Sequence, residues 1–598
     1  MSEKNAKNID KKPNFKISLK LLIPYLLREW KLFGLGLFAM LLVSVAKLID
    51  PLILAHVIDV SVPQADTADM LQYAFLFVGV VLLSGFLTWG QIVVLSRLGL
   101  RIITELKAKV FQHLMKVPVS FFDQRPVGDL IARVENDSER IRVLFSDLSV
   151  RLIGNILFFV GIVIVLSQRS AYMAWGFLIP IIVLSIAFGI FYRVVVRFYR
   201  RVREKYSEVT SNLTEYIQGM PVVQVFDRQQ KIVEHIDVAS GEKQKLETMV
   251  GFLEYGVQGF FLFVVNTALL GVVILLLSPK IIDGTFTIGT LIIFTQYIMR
   301  ITWPLMQLLE NFMQMQRSFV SMTRIQELLD LEVEEHHGRD NAIASFEHKI
   351  EFKNVWFAYE AEKWVLRDVS FELNKGAQLA FVGPSGSGKT TTINLICGFY
   401  AVQKGEILID GVNINAVDMT KWRRKIGLIL QDIYLFPGNV LENVRIYNDE
   451  ISEQEVKAAL DAVEAHKFTS AEQMNKELSE RGKNISQGER QLLSFARAVV
   501  YNPELVIMDE ATSSIDTVTE AKIQHSMDKL LSGKTALIVA HRLSSVLKAD
   551  CIHYMEEGRI VASGTHSELL SKSEAYRHLV ELQLLGSSGE TANVKCKK

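Results

Sequence analysis

Residues 379–390 read Leu-Ala-Phe-Val-Gly-Pro-Ser-Gly-Ser-Gly-Lys-Thr. The apolar run Leu379–Val382 suits a buried strand. It delivers a glycine-rich loop whose backbone N–H groups can surround phosphates, and a helix is expected just after. Gly383, Gly386 and Gly388 permit tight wrapping, Lys389 can reach β- and γ-phosphates, and the Thr390 hydroxyl can ligate Mg²⁺. The stretch reads as a phosphate-binding loop for a nucleoside triphosphate. Further on, Leu505-Val506-Ile507-Met508-Asp509 is a second apolar strand, ending in an acid with Glu510 directly after. Asp509 suits Mg²⁺ coordination, and Glu510 is placed to polarise an attacking water. A strand followed by two acids is common. Downstream of a phosphate loop, it reads as a Walker B strand.

Around these strands the chain has two unlike halves. Its 598 residues are too many for one domain. Lys and Arg number 65, as do Asp and Glu, so the net charge is zero. No global basic footprint suggests nucleic acid, which is not an expected partner. Residues 348–585 read as a soluble α/β domain, 1–325 as a membrane domain, 326–347 as a linker and 586–598 as a tail. Cys397, Cys551 and Cys596 show no metal-ligand spacing and suggest a reduced compartment.

The first half holds six candidate spans, at 32–60, 70–96, 146–167, 171–195, 250–278 and 286–312. Each is long enough to cross a hydrocarbon core of about 30 Å. The start does not read as a signal peptide, because a polar segment precedes the first apolar stretch. Residues 17–28 suit an amphipathic lead-in along the interface. Lysines lead the N-terminal segment. The connection after span 2 carries Arg97, Arg101, Lys107, Lys109, Lys116 and Arg125, and the one after span 4 carries Arg193, Arg197, Arg200, Arg201 and Arg203. The positive-inside rule puts both termini and both long connections in the cytosol. Those connections, 97–145 and 197–249, keep helical periodicity and dense charge. They are expected to extend the spans as helical arms, broken near Pro118, Pro126-Val127-Gly128 and Gly219-Met220-Pro221.

The resemblance to ABC ATPases rests on further motifs. Asn484-Ile485-Ser486-Gln487-Gly488-Glu489-Arg490-Gln491 resembles their signature loop, and Gln431 follows a strand as the Q-loop glutamine does. Ser513-Ser514-Ile515-Asp516 looks like the D-loop, His541 like the switch histidine, and Tyr359 like the aromatic that stacks on adenine. The first half resembles that of six-helix exporters of the multidrug and lipid-exporting kind. Phe121-Phe122-Asp123, Gly128-Asp129-Leu130 and Asn136-Asp137 resemble their first intracellular loop. Residues 212–226 resemble the second, with its coupling helix, and 477–482 resemble the X-loop. The fold expected is an α-helical six-span membrane domain followed by an α/β P-loop ABC ATPase domain.

The resemblance implies ATP hydrolysis between two nucleotide domains, with ATP and Mg²⁺ as cofactors. Glu510 and His541 would be catalytic. Tyr359, Gly383, Ser385, Gly386, Gly388, Lys389, Thr390, Thr391, Gln431, Asp509 and Asp516 would hold nucleotide, with Thr390, Gln431 and Asp509 toward the metal. Ser486 and Gly488 would serve the partner's ATP. The chain would be half a transporter in the cytoplasmic (inner) membrane, exporting amphiphilic compounds. The alternative is a sensor or regulatory ABC protein without net transport.

The usual signature, Leu-Ser-Gly-Gly-Gln, is here Ile485-Ser486-Gln487-Gly488-Glu489. Gln487 adds a side chain, and Glu489 adds negative charge near an anionic ligand. Beside an intact Glu510 and His541, these changes resemble one half of a heterodimeric exporter, so a second ABC half-transporter in a heterodimer is expected over a homodimer. Charged and amide residues in the spans are candidates for substrate contact. Lys47 and Asp50 lie three apart and are expected to neutralise each other. Gln296, Arg300, Gln307, Glu310 and Asn311 give span 6 the polarity of a cavity wall, and Glu254 lies low in span 5.

Overall fold

The computed structural model describes residues 23–582, apart from 124, 170, 335–345, 361, 510–516 and 541–545. It divides into two compact units. One comprises residues 1–116 and 125–331, and the other comprises 117–124 and 332–598.

The first unit is helical. Its long helices are α1 (Trp30–His56, continued by a π turn Val57–Ser61) and α2 (Thr67–Leu114). The sequence then breaks at Pro118, as expected, and the short α3 (Val119–Asp123) belongs to the second unit. Residues 127–148 continue as one helical stretch, as expected, with π turns at Arg133–Asp137 and Leu144–Leu148 inside it. The main chain continues as α4 (Ser149–Arg169), α5 (Ala171–Gln218), α6 (Met220–Val225), α7 (Gln229–Gly251), α8 (Val257–Ile282) and α9 (Ile288–Leu329). The expected spans lie largely in these helices, but 146–167 starts in the π turn Leu144–Leu148, 250–278 crosses a π turn at Phe252–Gly256 between α7 and α8, and 286–312 starts two residues ahead of α9. Among the described residues three helices are long and apolar enough to cross a membrane: Trp30–Ser61, Thr67–Leu114 and Leu152–Arg169. Shorter apolar stretches lie at Ala174–Val183, Val273–Ile282 and Ile288–Thr302.

These helices bury one stripe and expose another. α1 packs on α2, α4 and α9. Leu48, Phe158, Phe177, Val273, Phe294 and Tyr297, drawn from five different helices, close a common core. α2 turns Phe75, Leu82, Phe86 and Trp89 outward, which suits a lipid solvent and not water. At one end, Asp59 accepts a hydrogen bond from the Gly289 backbone N–H at 2.7 Å, placing a carboxylate at the positive end of α9. The lower parts of α5 and α7 are tied by Lys205, which bridges Glu208 and Glu242. Val222, Val225 and Phe226 at the tip of this arm stay exposed.

The second unit is α/β. A four-stranded antiparallel sheet, in the order β2-β1-β4-β5, uses β1 (Lys349–Phe357), β2 (Leu366–Asn374), β4 (Lys404–Ile409) and β5 (Val412–Asn413). A six-stranded sheet runs β12-β11-β3-β10-β9-β6. Its strands are β3 (Gln378–Val382), β6 (Ile426–Ile429), β9 (Leu505–Asp509), β10 (Thr535–Val539), β11 (Cys551–Glu556) and β12 (Arg559–Gly564). Its central pairs are parallel. β7 (Gly438–Asn439) and β8 (Glu477–Leu478) form a separate small pair. Side chains alternate across the central strands. Leu379 and Phe381, like Leu505 and Ile507, face one core. Ala380 and Val382, like Val506 and Met508, face another. Both faces are buried, so the strands read as continuous apolar runs.

Candidate nucleotide site and membrane residues

The phosphate loop joins β3 to α10 (Lys389–Ile396). Two glycines are imposed by close packing. Gly383 has φ +147°, and a Cβ there would lie 2.0 Å from the Met555 carbonyl oxygen. Gly388 has φ +104°, and a Cβ there would meet Leu366 at 2.5 Å. Ser385 and Gly386 lie on the exposed rim of the loop, while Thr391 is buried behind it.

Lys389 is buried, and its ammonium donates to the carbonyls of Gly383 and Pro384 at 2.9 Å each. Burial pushes its pKa down, with nearby Asp509 opposing. β9 and β3 flank β10, which brings Asp509 to the loop. The Thr390 hydroxyl donates to Asp509 Oδ2 at 2.9 Å. Asp509 Oδ1 is buried and has no hydrogen-bond partner among the described residues. An orphaned carboxylate oxygen beside a hydroxyl is a hard-oxygen set that fits Mg²⁺, which takes one or two carboxylates together with phosphate oxygens. Gln431 leaves the sheet at the same edge, because Ile429 pairs with Met508, and its side chain is exposed. Glu510, Asp516 and His541 lie outside the described residues.

Tyr359 stands beside α10. Its hydroxyl donates to Thr391 Oγ1 at 3.3 Å and accepts from Asn394 Nδ2 at 3.1 Å. Its ring meets Tyr400 edge-on, with centroids 5.0 Å apart. Tyr400 in turn donates a hydrogen bond to Asp123 of α3. The sequence reading did not single out Tyr400, and no local signal marks it.

The signature-like segment opens α11 (Gln487–Val500). Ser486 is its N-cap. The Ser486 hydroxyl accepts from the Glu489 N–H at 3.2 Å, and Glu489 Oε2 accepts from the Ser486 N–H at 2.9 Å. Glu489 Oε1 receives Lys467 Nζ at 2.5 Å. Burial alone raises the Glu489 pKa, but Lys467 and the Ser486 N–H outweigh it and hold the carboxyl below its ordinary value. The negative charge expected there is present but compensated: the carboxylate is folded back and paired. Gly488 is buried, and Ser486 and Gln487 are exposed. Ser-x-x-Glu before an amphipathic run is a capping-box signal that was legible in the letters. Lys467 was not.

In the membrane unit, Lys47 and Asp50 do not neutralise each other. Asp50 is held by both forks of Arg300, at 2.8 and 2.5 Å. A planar guanidinium from a packed neighbour matches a carboxylate better than a lysine on the same helix. Asn311 is fully buried, and neither amide atom has a partner among the described residues. The side chains of Glu254 and Glu310 lie outside the described residues.

A phosphate-loop α/β domain behind a helical, lipid-compatible unit defines an ATPase fused to a membrane component. Family comparison agrees. A model described as the ABC transporter transmembrane region matches residues 33–305, and one described as ABC transporter matches 366–513. The chain belongs to the ABC transporters, as an ATPase coupled to transport. It is 33% identical over 556 residues to an uncharacterized ABC transporter ATP-binding protein, YknV, of Bacillus subtilis, covering 92% of this chain and 91% of that protein. It is 32% identical over 530 residues to the probable multidrug resistance ABC transporter ATP-binding/permease protein YheH of the same organism, covering 87% and 78%. It is 30% identical over 555 residues to the ATP-dependent lipid A-core flippase of Haemophilus ducreyi, covering 90% and 94%.

Proposed function

We propose that this chain is one half of a dimeric exporter that uses ATP to move amphiphilic compounds outward across the cytoplasmic membrane. Both termini and the ATPase domain would face the cytosol. The domain limits proposed are 1–325 for the membrane part, 326–347 for the linker and 348–585 for the ATPase. The observation that carries the reading is the fusion of a helical membrane unit to an ATPase with one phosphate loop and one signature-like helix start. In this family, a complete ATP site takes the first from one domain and the second from another.

In the proposed site Tyr359 stacks on adenine. Gly383, Ser385, Gly386 and Gly388 present backbone donors to the phosphates, with Lys389, Thr390 and Thr391 at the start of α10. Mg²⁺, near Thr390, Gln431 and Asp509, supplies charge neutralisation of the phosphate oxygens. Glu510 orients and polarises the attacking water, His541 bonds the γ-phosphate, and Asp516 faces the partner. Ser486 and Gly488 address the ATP of the second half. Catalysis of this kind is chiefly positioning and charge stabilisation. The exposed apolar tip at Val222, Val225 and Phe226 suits docking on the partner's ATPase domain. Gln487 and Glu489 favour a heterodimer, in which the site completed by this signature is the slower one.

The test is ATP-dependent uptake of a fluorescent amphiphile into inside-out vesicles holding the assembled transporter. Glu510→Gln is expected to keep ATP binding and to cut turnover by roughly two to four decades. ATP hydrolysis without uptake of any amphiphile would replace export with a sensing or regulatory role. A stable homodimer with full, substrate-stimulated turnover would remove the heterodimer.

A further inference from the structure

Four helices of the membrane unit turn polar side chains toward one place. α1 brings Ser44 and Lys47, α2 brings Gln91, α4 brings Asn155, and α9 brings Arg300 and Gln307, around a cavity of about 450 Å³. The spacings are helical: 44 and 47 share a face of α1, and 300, 304 and 307 share a face of α9. Counted from Ser61 and Ile288, Lys47 and Arg300 both lie roughly 20 Å along their helices at 1.5 Å per residue.

The charges of the described residues inside do not cancel. Arg300 commits both forks to Asp50, and one of them also reaches the Lys47 carbonyl. Lys47 has no ion-pair partner among the described residues. Among the described residues one positive charge is left over in a membrane helix, where a lone cation is costly and marks a functional position. Gln91 is only 3% exposed, and its Oε1 has no hydrogen-bond partner among the described residues. A buried amide oxygen and an ammonium, both without partners among the described residues, line one cavity, a polar site whose bonds remain to be made.

A second cavity, of about 330 Å³, adjoins the first and shares Asn155 and Pro304 with it. Its remaining walls are almost wholly apolar, formed by Ile156, Phe159, Ile181, Ile182 and Ile186. Pro304, on the shared wall, has no N–H to give the Arg300 carbonyl its usual helical bond.

We propose that the two cavities form one substrate subsite for an amphiphile with an acidic head group. The phosphate, sulfate or carboxylate head bonds to Lys47 and lies within the field of Arg300. The Gln91 amide N–H donates to the head while its Oε1 is left to accept from Lys47, and the hydrocarbon tail covers the isoleucines beyond Pro304. A cationic head is repelled by Lys47. The proposal rests on the export reading and narrows its substrate class.

The test uses the assembled transporter in nanodiscs of zwitterionic phosphatidylcholine. The probes are dodecyl phosphate, dodecyltrimethylammonium, dodecyl maltoside and inorganic phosphate. Dodecyl phosphate is expected to bind about tenfold tighter than the other two tailed probes, as one charge-assisted hydrogen bond implies. Inorganic phosphate, lacking a tail, is expected to bind far more weakly. Lys47→Gln should remove the preference for dodecyl phosphate, and Lys47→Arg should restore it. Gln91→Leu, neutral and of similar size, should weaken dodecyl phosphate in the same direction, and it covers the case in which Lys47→Gln fails to fold. Equal binding of the three tailed probes, inorganic phosphate binding as tightly as dodecyl phosphate, or unchanged binding in both variants would overturn the subsite. Vesicle uptake of amphiphiles would still stand in each of those cases. Absence of uptake for every head group would instead remove the export reading beneath it.

Discussion

Two helices of the ATPase unit point their N-termini toward expected phosphates, and they are finished in opposite ways. α10 starts at Gly388, which brings no side chain to cap it, and a buried lysine follows. α11 starts at Ser486, and its first turn is closed by its own Glu489 through a capping box. The orphan N–H groups of a helix start can serve a ligand only where the chain has not already used them. α10 leaves its donors to a ligand and adds a cation. α11 spends one on Ser486 and puts a carboxylate alongside, neutralised by Lys467. On the proposed reading the primary phosphate grip would belong to α10, and α11 would make a lighter, conditional contact.

The largest effect that could break this contrast is at Lys389. Its ammonium is held over the loop by two carbonyls, poised where the phosphates would sit. Lys389→Ala is expected to weaken ATP binding and turnover by about a hundredfold or more, the scale of losing one preorganised charged donor. The measurement is equilibrium binding of a fluorescent ATP analogue together with steady-state hydrolysis. Near-normal values in both would place the main grip elsewhere.

A smaller effect tests the base end of the same site. Tyr359→Ala should raise the ATP dissociation constant roughly tenfold, since base stacking on an aromatic contributes about 1–3 kcal/mol. Tyr359→Phe should keep most of the affinity, because the hydroxyl bonds to Thr391 and Asn394 and not to the expected base. Equal losses in the two variants would mean that the hydroxyl network matters and the ring does not. Comparing ATP with inorganic triphosphate separates these cases, as only ATP has a base to lose.

What could be read from the letters follows from how local each interaction is. The phosphate loop was legible because its strand, glycines and lysine are consecutive and each has a fixed job. The helix breaks at Pro118 and Gly219-Met220-Pro221 were legible for the same reason. The π turns between 133 and 148 were not, since no residue type there forbids a regular helix. Asp50 was assigned to Lys47, its near neighbour on α1. Its actual partner, Arg300, is 250 residues away, and sequence spacing reports faces of one helix but not which helices pack. Glu489 failed in the same way: the Ser-x-x-Glu pattern was present, but Lys467 reaches it from 22 residues earlier.

The smallest effect sharpens the contrast most. The Lys467–Glu489 pair is partly exposed, with Lys467 58% open to solvent, so its direct energy is modest, about 0.2–1 kcal/mol. Its consequence is electrostatic. Without Lys467, the Glu489 charge stands uncompensated beside the helix start that would meet the partner's ATP. Lys467→Ala is expected to lower kcat/KM for ATP by about 1.4- to fivefold, the kinetic equivalent of that energy, mainly through a higher KM. Glu489→Gln removes the charge itself, so Lys467→Ala added to Glu489→Gln should have almost no further effect. The double-mutant cycle reads that coupling directly. Raising ionic strength should shrink the Lys467→Ala defect, because screening weakens the repulsion. A defect that is equally large in the Glu489→Gln background, and indifferent to salt, would show that Lys467 supports the fold around its loop. The two helix starts would then differ in their capping alone and not in the charge they present.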